Sequence, residues 1–316
     1  MDLSVEIGGL KLKTPFLAAS GVIGVSAILA RRAFASGAGG VVAKSVGLKA
    51  RDGYPGPNVV RVSCGLINAM GLPNPGIHEM VKELKAMKSF GVPVIASIYG
   101  FSEEEYGEAA KLIAEKVDVE GFELNLSCPT VYGTGFEIGI DPLKVRGAVK
   151  AVKEVVEDKP VIAKLTPNVT DIVSIGKAAE EAGADGVTAI NTVRAMVIDV
   201  DLERPILNPG IGGLSGPAIK PIALRAVYEL YRGLRIPVLG CGGITSWRDA
   251  VEFFLAGASA VQIGTGILYR DLKVFREVKD GLSSYLGCKG VADIKPLIGR
   301  AHKAGDLGSP LAPHPV

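Results

Sequence analysis

Side chains able to do chemistry recur at one kind of place in this chain, at the ends of short apolar runs. Ser20 and Gly21 follow the run at 16–19, Lys44 and Ser45 that at 40–43, and Ser97 falls near the end of 93–98. Asn125, Ser127 and Cys128 close the run at 121–126, Lys164 that at 160–165, and Asn191 and Thr192 follow 186–190. One Asn or Ser at such a point is commonly a helix cap or turn former. Two lysines and two asparagines in register are a stronger sign, because Lys is seldom set at a buried strand end without a partner. If the runs are parallel strands, these side chains converge on one mouth.

Two glycine loops extend the pattern. Gly240-Cys241-Gly242-Gly243-Ile244 follows the run at 237–240, and Gly264-Thr265-Gly266 follows 260–263. Glycine lets backbone N–H groups approach a phosphate closely. One such loop is explained by a tight turn alone; two in succession indicate a phosphorylated ligand. Of the four cysteines, a buried structural role suits Cys64, Cys241 and Cys288. Cys128 stands apart, on a loop just beyond a strand and next to Pro129. Its thiol, with a reference pKa of ~8.5, can serve as base or nucleophile there. No histidine is placed to pair with it, which disfavours a papain-like site and leaves a lone proton acceptor.

The elements that must position these residues follow from periodicity. Apolar runs alternate with amphipathic stretches: 16–19 with 27–36, 40–43 with 77–90, 93–98 with 103–116, and 121–126 with 143–156. The series continues as 160–165 with 171–182, 186–190 with 219–231, 237–240 with 247–256, and 260–263 with 272–286. Continuous Val/Ile/Ala runs mark strands buried on both faces of a parallel sheet. Eight such units exceed the usual doubly wound sheet and predict a closed (β/α)8 TIM barrel. The alternation at 5–13 around Gly8-Gly9 predicts an N-terminal β-hairpin closing the barrel bottom. Segments 46–75 and 193–217 break the rhythm as long βα loops over the C-terminal face, where barrels build active sites. No linker interrupts the chain, so one domain over 1–316 is expected.

Composition narrows the function further. Forty-one of 316 residues are glycine, roughly twice the typical share. A formal net charge of +2 without a basic run gives no nucleic-acid footprint. No stretch approaches the roughly 18 apolar residues of a membrane span, and no signal-peptide pattern opens the chain. A cytoplasmic setting is therefore expected. The cysteine spacing fits neither a zinc site nor an iron–sulfur cluster held by this chain, so no metal is expected. Glutamine occurs once, at Gln262, and such amide depletion fits a heat-adapted chain.

Three runs carry a family resemblance: Ile67-Asn68-Ala69-Met70-Gly71-Leu72-Pro73-Asn74-Pro75-Gly76, Asn125-Leu126-Ser127-Cys128-Pro129, and Gly213-Leu214-Ser215-Gly216-Pro217-Ala218-Ile219-Lys220-Pro221. On these the chain resembles the class 1 dihydroorotate dehydrogenases over nearly its whole length, and the last run is most similar to class 1B. The resemblance implies oxidation of (S)-dihydroorotate to orotate in pyrimidine biosynthesis, with a hydride passed to FMN. Electrons would go on to NAD+ through a partner subunit carrying FAD and a [2Fe–2S] cluster, in a heterotetramer built on a homodimer.

By the same resemblance Cys128 would be the base at C5 of the substrate, and Lys164 would stabilise the reduced flavin. FMN would contact Ser20, Gly21, Lys44, Ser45, Ser97, Asn125, Lys164, Ile190 and Gly216, with its phosphate on Gly242, Gly243, Gly264 and Thr265. Orotate would contact Lys44, Asn68, Ala69, Met70, Gly71, Leu72, Asn125, Thr130, Asn191 and Thr192. Ser97 and Thr130 stand where the family usually carries asparagine. Thr130 keeps a dihydropyrimidine (dihydrouracil) dehydrogenase as an alternative. From another class, a lyase or isomerase would use Lys164 as a Schiff-base lysine.

Overall fold

The first apolar run forms a strand at Phe16–Ala18 and the last one at Ala258–Ile263, and the two are hydrogen-bonded neighbours in parallel. That pairing closes a ring. The computed structural model describes residues 1–126 and 138–303. Strands in chain order are β1 (Val5–Ile7), β2 (Leu10–Leu12), β3 (Phe16–Ala18), β4 (Gly40–Val42), β5 (Val59–Val62), β6 (Gly65–Asn68), β7 (Val94–Ile98) and β8 (Gly121–Asn125). They continue as β9 (Val161–Leu165), β10 (Gly186–Ala189), β11 (Val193–Met196), β12 (Ile198–Asp199), β13 (Arg204–Pro205), β14 (Ile211–Ser215), β15 (Val238–Cys241) and β16 (Ala258–Ile263). The closed barrel runs β3-β4-β7-β8-β9-β10-β15-β16, parallel throughout. The (β/α)8 expectation is met.

The helices are α1 (Ala27–Ala35), α2 (Ile77–Ser89), α3 (Glu103–Ala114), α4 (Pro142–Val156) and α5 (Ile172–Glu181). After these come α6 (Lys220–Gly233), α7 (Trp247–Ala256), α8 (Thr265–Arg270) and α9 (Val274–Cys288). Side chains written into the sequence start several of them: Ser26, Ser102, Asp141, Asp171 and Ser246 each accept a hydrogen bond from a backbone N–H of the first turn. Each helix lays an apolar stripe on the barrel, as Val145, Ala148, Val149, Val152 and Val156 do on α4. No described helix is long and apolar enough to cross a membrane.

The hairpin β1–β2 forms around Gly8-Gly9 as expected. It lies against Asp185 and Pro160, which precede β10 and β9, and so covers the N-terminal ends of the strands. The segments expected as long loops are more regular than their local pattern suggests. They pair with each other as a four-stranded antiparallel sheet, β11-β14-β6-β5, with a small β12–β13 hairpin beyond it. The pairing of β6 with β14 joins residues about 150 apart, a contact no short window of sequence displays. A separate small core of Ile67, Ala69 and Leu207 holds this sheet together.

Candidate active site

The barrel mouth opens into a cavity of about 380 Å³, within the range of small-molecule sites. Its wall brings together Ser20, Gly21, Lys44, Ser45, Asn125, Lys164, Ile190, Gly216, Gly242, Gly243, Gly264 and Thr265. It also includes Asn68, Met70, Gly71, Leu72, Asn191 and Thr192. Strand order sets the two sides. The glycine loops leave β15 and β16, which lie across the ring from β7 and β8. One side of the cavity therefore exposes backbone at Gly242, Gly243 and Gly264, and the other is lined with amides and hydroxyls.

The polar side is one connected network. Ser45 Oγ lies 2.8 Å from Ser97 Oγ and 3.3 Å from Ser20 Oγ. Asn125 Nδ2 donates to Ser45 Oγ at 3.1 Å, and Asn191 Nδ2 donates to Asn125 Oδ1 at 3.3 Å. The buried Tyr106 hydroxyl donates to the Asn125 carbonyl at 2.9 Å, which ties the end of β8 to α3. Asn68 reaches the same space from β6 of the four-stranded sheet, where its Nδ2 donates to the Gly213 carbonyl at 3.3 Å. Such amides are held with fixed donor and acceptor faces, as recognition of a planar polar ring requires.

Lys164 is the buried charge of the wall, at 6% exposure. Its Nζ lies 3.0 Å from Gln262 Oε1 and 3.4 Å from Glu123 Oε1. Burial alone would lower its pKa, but the Glu123 carboxylate outweighs that and raises it. The ammonium therefore persists. Burial pushes the Cys241 thiol up, with Lys164 opposing and Glu123 reinforcing the shift, so this cysteine is held protonated.

The glycine side is anchored from outside. At Gly243 φ is +73°, and a Cβ built there would stand 2.8 Å from Lys220 Cβ and 2.9 Å from the Gly216 carbonyl oxygen. Lys220 Nζ is 2.7 Å from Asp249 Oδ1 and 3.1 Å from Glu252 Oε1, so its charge is already matched. Burial would raise the Asp249 pKa; its bonds with Lys220, Thr245 and Ser246 outweigh that and lower it. The resulting capping box fixes the turn that carries Gly242 and Gly243 into α7.

Several expected residues sit elsewhere. Ala69 is not in the wall: on a segment where side chains alternate, Leu66, Asn68 and Met70 line the cavity while Ile67 and Ala69 are buried on the other face. Ser97 is also absent from the wall, buried one layer behind Ser45. Cys64 and Cys288 are exposed, against the buried role expected of them, because they lie at a hairpin turn and a helix end. Cys128 and Thr130 fall outside the described residues. Sequence reasoning passed over Cys241, Val59 and Leu66 in the wall, and the Glu123 and Gln262 side chains beneath it. The lone glutamine at 262 was the one available signal for the latter pair.

A family model described as "Dihydroorotate dehydrogenase" matches residues 2–286. The chain is 55% identical over 301 residues to the "Dihydroorotate dehydrogenase B (NAD(+)), catalytic subunit" of Pyrococcus abyssi, covering 95% of this chain and 99% of that protein. The protein of the same name from Pyrococcus furiosus is 54% identical, with 96% and 100% covered. That from Methanocella arvoryzae is 47% identical, with 96% and 99% covered.

Proposed function

Because the chain belongs to the dihydroorotate dehydrogenase family, we propose that it oxidises (S)-dihydroorotate to orotate in pyrimidine biosynthesis, using FMN and passing electrons towards NAD+. The observation that carries this reading is one cavity with a buried ammonium and a cluster of ordered amides facing two glycine-rich loops. A flavin nucleotide fits that donor set: its phosphate suits the glycine side, where a Cβ at Gly242 or Gly243 would collide with α6 side chains, and its pyrimidine edge suits Lys164. When bound, FMN supplies the two-electron acceptor.

The chain's own residues divide the rest of the work. Gly242, Gly243, Gly264 and Thr265 would hold the phosphate, while Ser20, Gly21, Ser45, Ile190 and Gly216 fix the ring system. Asn68, Asn125 and Asn191, with Lys44, would orient the substrate ring and its carboxylate. Thr192 supports this pose, since its backbone N–H donates to Asn191 Oδ1 at 2.8 Å. Cys128 would remove the proton from C5, and Lys164 would offset negative charge that develops next to it. The relatives are named as catalytic subunits, which implies a partner chain. We assign FAD and a [2Fe–2S] cluster to that partner because the cysteines here lack cluster spacing. A homodimer within a heterotetramer, in the cytoplasm, completes the proposal.

The test is the absorption spectrum of the purified protein. A flavin spectrum that anaerobic dihydroorotate bleaches, and dihydrouracil does not, is expected; protein that binds no flavin, or flavin left oxidised by dihydroorotate, overturns the reading. Gly243→Ala tests the phosphate side. A non-glycine residue at positive φ costs about 1–2 kcal/mol, and here the added methyl also meets Lys220 and Gly216. Relieving that contact distorts the cradle, so FMN affinity should fall roughly tenfold or more, the equivalent of about 1.4 kcal/mol, read by flavin fluorescence quenching. Gly91→Ala is the control: φ is +71° there as well, but nothing lies within 4 Å of the added carbon. It should cost stability and leave flavin affinity unchanged.

A further inference from the structure

Beneath the cavity the barrel interior holds a carboxylate that the reading above leaves without a task. Glu123 on β8, Thr188 on β10 and Gln262 on β16 come from alternate strands of the ring, as one interior layer of a barrel does, and all three are fully buried. Glu123 Oε2 accepts from Thr188 Oγ1 at 2.9 Å and from Gln262 Nε2. Its other oxygen, Oε1, accepts no hydrogen bond among the described residues and is 3.4 Å from Lys164 Nζ. Gln262 bridges the pair, its amide nitrogen on the carboxylate and its oxygen 3.0 Å from the ammonium.

This arrangement has a clear physical logic. A buried ammonium is tolerated only when paired and hydrogen-bonded, and otherwise sheds its proton. An ammonium has three N–H donors. Gln262 accepts from one of them and Glu123 stands 3.4 Å away as the counter-charge from below, which leaves donor capacity for the cavity that Lys164 lines. We propose that Glu123 and Gln262 are positioning residues that keep Lys164 charged and aimed into the cavity. Thr188 fixes the carboxylate's rotation. Among the described residues the titratable groups that act on Lys164 are Glu123 from β8 and Cys241 from β15; Gln262 and Thr188 are neutral. Burial holds Cys241 as a neutral thiol, which leaves Glu123 as the ion-pair partner of Lys164.

The purpose assigned to that charge rests on the flavin reading, but its existence does not, and the experiment separates the two. Flavin-free full-length chain is treated with acetic anhydride across pH, and acetylation of Lys164 is read by peptide mass spectrometry; only a neutral amine reacts. Wild type should resist labelling through the neutral and mildly alkaline range. Glu123→Gln should label there at least about tenfold faster, the equivalent of one pKa unit, and Glu123→Asp should recover most of the wild-type resistance. In FMN-loaded protein, Glu123→Gln should add a break to the flavin midpoint potential against pH, in a range where wild type shows none. A Glu123→Gln labelling profile superimposed on wild type overturns the proposal. Wild type that labels at neutral pH overturns it too. Failure to bind FMN would sink the flavin reading while leaving the labelling result intact. Should Glu123→Gln not fold, Gln262→Met serves instead: a smaller shift in the same direction is expected, and no shift overturns the proposal.

Discussion

Lys164→Met should slow anaerobic flavin reduction by dihydroorotate by roughly 10²–10³-fold and destabilise the chain by ~3–5 kcal/mol. The two effects have different origins. The rate falls because a preorganised positive charge is removed from the cavity wall, where little water screens it. Stability falls because Glu123 stays behind, buried, with its counter-ion gone. Methionine preserves most of the side-chain volume, so a packing void contributes little. The second origin makes a further result predictable. Combining Lys164→Met with Glu123→Gln removes both charges and should restore most of the stability while restoring none of the rate. Stopped-flow bleaching measures the rate, and urea melts of the flavin-free chain measure stability without linkage to the cofactor. A double variant as unstable as Lys164→Met alone would show that the pair is not the source of the loss.

That buried pair also marks the limit of what could be read before the fold was known. Barrel strands are apolar on both faces, so 93–98, 121–126 and 160–165 announce themselves as continuous runs, and the structure finds β7, β8 and β9 within a residue of them. Helix starts were equally legible, since Ser102 and Asp171 carry their caps in the sequence. The side of a strand is harder. Asn68 and Ala69 are neighbours in an unbroken motif, yet the alternation that sends one to the cavity and the other to the small core depends on where β6 meets β14. Ser97 illustrates depth instead of side: strand position brought it to the mouth, and Ser45 stands in front of it. Glu123, Thr188 and Gln262 are separated by 65 and 74 residues and become one network only when the ring closes. Local chemistry at the rim of a barrel is thus readable from spacing, whereas interior polar layers are set by register.

Cys128→Ala should lower the rate of flavin reduction by roughly 10²–10⁴-fold, the usual worth of a positioned general base, with FMN still bound. The proton at C5 needs an acceptor that is deprotonated near neutral pH, and the thiol reference of ~8.5 lies closest among the candidates. Cys241 cannot stand in, because burial raises its pKa and keeps it protonated. Lys164 cannot either, since Glu123 keeps it charged and so without a lone pair. The pH dependence follows from this. In wild type the reduction rate should climb with pH until the Cys128 thiolate is fully formed and then level off. Cys128→Ser should lose that plateau and still be rising at the alkaline limit, because a serine hydroxyl ionises far above a thiol. Stopped-flow bleaching over a pH series reads both variants. Reduction of Cys128→Ala at the wild-type rate would move the base to another residue, and an unchanged plateau in Cys128→Ser would show that the titrating group is not the thiol.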